Sequence, residues 1–250
     1  MNLLRERMRE DAMLRGTLIS LTDPALAEIF GNAGFDCVWI DTEHTYMSNR
    51  DVLCHLSTAR AANIATVVRV PQNDLTATKK ILEMGPDGII FPMVCSAKEC
   101  NELIAMTLYP PNGTRGFGPM RAIGYEPGKS RDYVERESLS LCRFVQIESV
   151  SLIDELEEVA KNPYIDGFIF GPNDLSGSVG EMMNVFGDAT VSEIRRAVEI
   201  LKKHGKKIGL ACGSRPEEIE FWKSLGLDML FVGGDWSFLF AKATEVLKLL

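Results

Sequence analysis

Short apolar runs rich in β-branched residues recur along the chain and alternate with longer stretches of helical periodicity. The runs predict eight strands, at 17–20, 37–41, 66–70, 88–92, 143–147, 167–170, 207–211 and 229–232. Val38-Trp39-Ile40 and Phe168-Ile169-Phe170 are apolar at every position, which marks strands buried on both faces of a parallel sheet. Helix-like stretches at 24–33, 77–84, 192–204 and 216–225 are each followed by a glycine that stops them. Pro24 and Pro216 fall in a first turn, where proline is tolerated. Eight alternations in 250 residues are the count and size of an α/β protein of the (β/α)8 TIM-barrel class. An open doubly wound sheet is the competitor, but no GxGxxG or P-loop follows the first strand. No linker or shift in composition divides residues 1–250, so a single domain is expected.

Composition narrows the partners. There are 27 basic and 35 acidic residues, a net charge of −8, and no basic face suited to nucleic acid. No apolar run approaches the ~18 residues of a membrane span, and the N-terminal stretch is charged throughout, without a secretory apolar region. The expectation is a cytoplasmic protein with neither a nucleic-acid nor a membrane partner. Six cysteines without a CxxC pair read as reduced thiols. The three histidines lie far from any paired cysteines, which disfavours a zinc cluster.

In a barrel of this kind the reactive groups collect at the C-terminal ends of the strands. The second strand ends in Asp41-Thr42-Glu43-His44, the third in Arg69, the fifth in Gln146-Ile147-Glu148, and the sixth runs into Gly171-Pro172-Asn173-Asp174. Glu148 and Asp174 come from neighbouring strands. Two hard oxygen donors there suit Mg2+ or Mn2+, with the remaining positions left to water and substrate. Asp41 and His44 are close in sequence, and a carboxylate beside an imidazole orients a general base. Arg69 is placed to hold the oxygen of a developing enolate. His55 and His204 read as ordinary helical residues. No lysine ends a predicted strand, which argues against Schiff-base chemistry. Gly233-Gly234-Asp235 reads as a tight turn. The connection at 109–131, rich in Gly, Pro and Arg, reads as a lid or an interface arm, with Arg115 and Arg121 available to an anionic ligand.

At these residues the sequence resembles the HpcH/HpaI family of metal-dependent, class II aldolases. The resemblance runs through Gly34-Phe35-Asp36 and Ile40-Asp41-Thr42-Glu43-His44, then Val68-Arg69-Val70-Pro71 with Asn73-Asp74. It continues in Pro92-Met93-Val94, Tyr109-Pro110-Pro111-Asn112-Gly113-Thr114-Arg115-Gly116, Gln146-Ile147-Glu148, and residues 167–176. It implies Glu148 and Asp174 as ligands of a divalent metal, Mg2+ or Mn2+ with Co2+ as an option. It further implies Arg69 on the pyruvyl oxygen, His44 with Asp41 in acid–base work, and Gln146 in the site. The amides near Gly171, Asn173 and Asp174 would hold the pyruvate carboxylate. Glu83 would reach a neighbouring subunit's site, in a trimer or hexamer whose last helix, near 237–249, is exchanged. The reaction implied is reversible cleavage of a 4-hydroxy-2-oxo acid to pyruvate and an aldehyde through an enolate. A CoA-thioester lyase, an oxaloacetate decarboxylase-like enzyme and an inert organic-acid-binding barrel stay open beside it. Leu18, where some relatives carry tryptophan, and the bulky Thr45-Tyr46-Met47-Ser48 bear on the aldehyde rather than on the chemistry.

Overall fold

The structure is a computed structural model that describes residues 2–10 and 12–250. A short helix, α1 (Leu3–Arg7), precedes eight strand–helix repeats. The first four are β1 (Leu14–Ile19), α2 (Ala25–Ala33), β2 (Cys37–Asp41), α3 (Asn49–Ala61), β3 (Ala65–Arg69), α4 (Leu75–Met84), β4 (Gly88–Phe91) and α5 (Ala97–Ala105). After a long connection containing α6 (Ser130–Glu135) come β5 (Cys142–Ile147), α7 (Val150–Asp154), α8 (Leu156–Val159), β6 (Gly167–Phe170), α9 (Pro172–Ser178) and α10 (Asp188–Lys203). The chain ends with β7 (Lys207–Cys212), α11 (Pro216–Lys223), β8 (Met229–Gly234) and α12 (Asp235–Leu247). The strands are parallel and pair in sequence order, and β8 returns to β1 to close the barrel. This is the expected (β/α)8 fold, with β1 starting three residues earlier than its apolar run suggests.

Alternation along each strand sorts the side chains. Cys37 and Trp39 of β2 point into the barrel, where they pack with Val67, Phe144, Ile169 and Phe231. Val38 and Ile40 point outward against the helices. The interior is filled, not hollow: a Cβ on Gly16 would lie 2.3 Å from the Phe231 ring, so that position takes only glycine. The same two-residue period delivers Asp41, Arg69, Gln146 and Glu148 to the top of the barrel as the next inward residues above the apolar fill.

The floor is closed by α1. Leu4 is fully buried among the interior residues, and Arg5 binds the Ser140 and Leu141 carbonyls and Asp166. Leu4→Ala should lower stability by about 3 kcal/mol through the cavity it leaves. Chemical denaturation checks this, and an unchanged midpoint would remove α1 from the core.

The long connection belongs to the underside. It joins the C-terminal end of α5 to the N-terminal end of β5, so residues 106–141 lie opposite the mouth and cannot act as a lid over it. Arg115 is buried there. It pairs with Glu83 at 3.2 Å, donates to the Tyr133 hydroxyl at 3.2 Å, and lies over the Tyr109 ring. Arg121 donates to the Met84 carbonyl at the end of α4 and to Ser57 Oγ. The expectation that these two arginines meet an anion is therefore corrected: both serve the packing of the arm. Glu83 sits with them, away from this chain's own mouth. Gly233-Gly234-Asp235 is a structural junction, in which Asp235 accepts from the Ser20 and Leu21 amides at 2.8 Å. No helix among the described residues is long and apolar enough to cross a membrane.

Candidate active site

Strand register explains the centre of the mouth. Asp41 and Arg69 are directly paired across β2 and β3, so two inward side chains of opposite charge meet at the same height. Arg69 donates Nε to Asp41 Oδ1 at 2.9 Å and Nη2 to Asp41 Oδ2 at 2.7 Å, a two-pronged ion pair that fixes the plane of the guanidinium. The ring of Trp39 supports it from below, 5.0 Å away. The remaining arm, Nη1, lies 2.9 Å from Glu43 Oε2 and 3.5 Å from Gln146 Oε1. Asp41 and Arg69 are both almost fully buried.

Glu148 is held as firmly. Its Oε1 accepts from Gln146 Nε2 at 2.7 Å, and its Oε2 accepts from the Met93 backbone N–H at 2.7 Å. Met93 has φ of 52°, a left-handed conformation uncommon for a residue with a side chain. That turn of the backbone aims its N–H across to β5. Gln146 thus links Arg69 to Glu148, and Gly171 leaves them room: a Cβ there would lie 2.7 Å from Glu148 Oε1 and 2.9 Å from Gln146 Nε2.

Two of the sequence expectations change. Asp41 is not the partner of His44, because both its oxygens are taken by Arg69 from the neighbouring strand. The acid nearest His44 is Glu43, with Oε2 at 3.7 Å from Nε2, and the imidazole is largely exposed. Glu43, named in the sequence but given no role, therefore stands between Arg69 and His44. Gly171 also has no amide to offer, since its N–H donates to the Ile147 carbonyl at 3.1 Å. Asn173 and Asp174 lie in the first turn of α9, where amides have no intrahelical acceptor.

The charges are unbalanced. Asp41, Glu43, Glu148 and Asp174 share the mouth with one arginine. Burial pushes the Glu148 carboxyl up to about 7, with Asp174 and Glu43 adding to it and the Met93 N–H and Arg69 opposing it. Burial likewise raises Glu43, against the pull of Arg69 and His44. Among the described residues no three of His, Cys, Asp and Glu converge on one metal position. Two hard carboxylates with excess negative charge around them still fit a divalent cation that takes its other ligands from water and substrate. A cavity of about 650 Å3 lies elsewhere, under the barrel between α1 and the long arm.

Residues 16–214 match the family model described as HpcH/HpaI aldolase/citrate lyase. The chain belongs to this family. A hydroxypyruvate/pyruvate aldolase from Paraburkholderia phytofirmans is 34% identical over 85% of this chain and 82% of its own. A 5-keto-4-deoxy-D-glucarate aldolase from Klebsiella pneumoniae is 32% identical over 93% and 90%. Among solved structures, an HpcH/HpaI aldolase/citrate lyase family protein from Burkholderia cenocepacia superposes with a TM-score of 0.92 at 29% identity, covering 99% of this chain and 98% of that one. As an HpcH/HpaI aldolase the chain is an enzyme, a carbon–carbon lyase.

Proposed function

We propose that this HpcH/HpaI aldolase cleaves a 4-hydroxy-2-oxo acid reversibly to pyruvate and an aldehyde. The observation that carries the reading is the convergence of Glu148 and Asp174 beside an arginine whose plane is locked by Asp41. Glu148 and Asp174 would hold a divalent cation, Mg2+ or Mn2+, which when bound supplies Lewis-acid polarisation of the substrate's keto oxygen. The first-turn amides of Asn173 and Asp174 face the substrate carboxylate. Arg69 Nη1, the arm Asp41 leaves uncommitted, donates to the keto oxygen and holds it as charge develops. In cleavage His44 takes the C4 hydroxyl proton, the C3–C4 bond breaks, and its electron pair passes to C3 as the enolate. Protonation of C3 yields pyruvate, and the C4 fragment leaves as the aldehyde. Glu43 orients His44 and Arg69 from between them, and Gln146 keeps Glu148 and Arg69 in one frame.

Arg115, Arg121 and Arg131 are the cations a CoA site would call on, and they belong to the connection on the opposite face. This counts against the CoA-thioester reading. The test of the proposal is deuterium exchange at the pyruvate methyl in D2O, followed by proton NMR. Exchange is expected with Mg2+ or Mn2+ and is lost with EDTA. Absence of exchange with either metal would turn the assignment towards a lyase without pyruvate enolisation, or towards a binding barrel.

A homo-oligomer is part of the same reading. Trp236, Leu239 and Phe240 on α12 are 60%, 65% and 70% exposed, more apolar surface than one short helix leaves bare without a partner. A trimer or hexamer that exchanges this helix, with Glu83 at a neighbour's site, would cover it.

A further inference from the structure

Strand β1 delivers a polar residue to the mouth that the reaction leaves without a role. Along it, Gly16 faces the Phe231 ring and Leu18 packs with the barrel interior, while Ile19 turns outward against α2 and α3. The next inward position is Ser20, which is half-buried. β1 pairs with β2 as far as Ile19 and Ile40, so Ser20 stands one step on, level with Asp41, and Asp41 is paired in turn with Arg69. A hydroxyl, a carboxylate and a guanidinium therefore occupy one row across β1, β2 and β3. The backbone at Ser20 is fixed from two sides. Asp235 Oδ2 accepts the N–H groups of Ser20 and Leu21, both at 2.8 Å. His55 Nε2 lies 3.0 Å from the Leu21 carbonyl oxygen and is the donor, since a carbonyl only accepts. Asp235 and His55 are both buried, so α12 and α3 each commit a buried ionisable side chain to this short stretch.

We propose that Ser20 binds the aldehyde half of the substrate, sharing a hydrogen bond with a hydroxyl on the carbon next to the aldehyde carbon. The proposal rests on the aldolase reading and deepens it by naming a specificity residue. In the closed barrel β1 stands four places from β5 in either direction, so Ser20 lies across the mouth from Glu148. The pyruvyl end is anchored near Glu148, Asp174 and Arg69. The rest of the substrate then extends away from β5, past His44 at C4, towards β1 and β2. Ser20 is the polar side chain that β1 offers there. A serine hydroxyl both donates and accepts, which suits a hydroxyl on the substrate. A methyl group in the same place would leave the serine without that partner. Asp235 and His55 act through Ser20 as positioning residues.

The experiment compares aldehydes of equal size in the condensation with pyruvate: glycolaldehyde against propionaldehyde, and lactaldehyde against isobutyraldehyde. The quantity read is the ratio of kcat/KM for the hydroxylated member of each pair over its methyl counterpart. Ser20→Ala should lower that ratio about fivefold or more relative to the parent. Ser20→Thr, which restores a hydroxyl on the same backbone position, should keep it. The intrinsic reactivity of each aldehyde, and any group that a second copy of the chain brings to the mouth, are common to parent and variant and cancel in the comparison. A ratio unmoved in Ser20→Ala, including equal loss of both rates, would overturn the proposal, as would a ratio that falls as far in Ser20→Thr. Pyruvate deuterium exchange by the parent separates the two readings. Exchange with an unmoved ratio sinks only the role of Ser20, whereas absence of exchange sinks the aldolase assignment beneath it.

Discussion

Glu148→Gln should leave a folded protein with almost no turnover. The amide keeps the shape of the carboxylate and an oxygen to accept the Met93 N–H, while its nitrogen faces the Gln146 amide nitrogen, so Gln146 must turn over and give up its contact with Arg69. The substitution removes the charge that a divalent cation needs. Loss of one of two anionic protein ligands should weaken metal binding by about 100-fold or more and lower kcat/KM by roughly 10³-fold, equivalent to about 4 kcal/mol of barrier. Stability should move the other way. The Glu148 carboxyl titrates near 7 in the folded metal-free chain, above its ordinary value of 4.5. The stability it contributes is fully present below its unfolded value and is lost as pH rises through about 7, a penalty on the order of 3 kcal/mol at pH 8. The Gln variant escapes that penalty. Metal-free Glu148→Gln should therefore melt higher than the parent at pH 8 and close to it at pH 5. A variant that kept its turnover and metal response would remove Glu148 from the ligand set.

The same titration couples metal to protons. A protonated Glu148 must lose its proton before it can serve as a ligand. Apparent metal affinity should rise about tenfold from pH 6 to pH 8 and then level off. Calorimetry of Mn2+ binding in two buffers of different ionisation enthalpy should show close to one proton released per ion at pH 6 and few at pH 8.

Much of this site can be read along single strands. In β2, β3 and β5 every second residue points inward, so Cys37-Trp39-Asp41, Ala65-Val67-Arg69 and Phe144-Gln146-Glu148 each run from core into chemistry without a change of period. Partnership across strands is less legible. Asp41 is three residues from His44 but 28 from Arg69, and the register of β2 on β3 chooses Arg69. The role of Glu43 was hidden for the same reason, since its value lies in what the neighbouring strand places beside it. Met93 gave no warning either: its contribution is a backbone N–H turned by a positive φ, which no side-chain pattern encodes. The long arm is a different case. A connection from helix to strand in such a barrel must lie at the strands' N-terminal end, so topology alone assigns residues 106–141 to the underside, whatever arginines they carry.

Arg69→Met should be the most damaging change at the mouth, because that one cation serves three neighbours. Turnover should fall roughly 10³-fold, since the donor to the keto and enolate oxygen is gone. Stability should fall as well, in a pH-dependent way. Asp41, buried, and Glu43, partly buried, would be left without their shared partner, an arrangement that costs about 3–5 kcal/mol. At pH 8 the melting temperature should drop by about 10 °C. Lower pH lets the Glu43 carboxyl, already raised by burial, take up a proton, and with the arginine gone the opposing pull on Glu148 is lost too, so its protonated form persists further into the neutral range. The deficit should accordingly shrink by half or more at pH 5. Arg69→Lys separates the two roles. An ammonium returns a positive charge, and with it much of the pH 8 stability, but it cannot span both oxygens of Asp41 while presenting another donor to the substrate. Its turnover should stay low. An equal loss of stability at both pH values in the Met variant would mean that Arg69 holds the mouth by packing on Trp39 alone, and the electrostatic account of the site would fail with it.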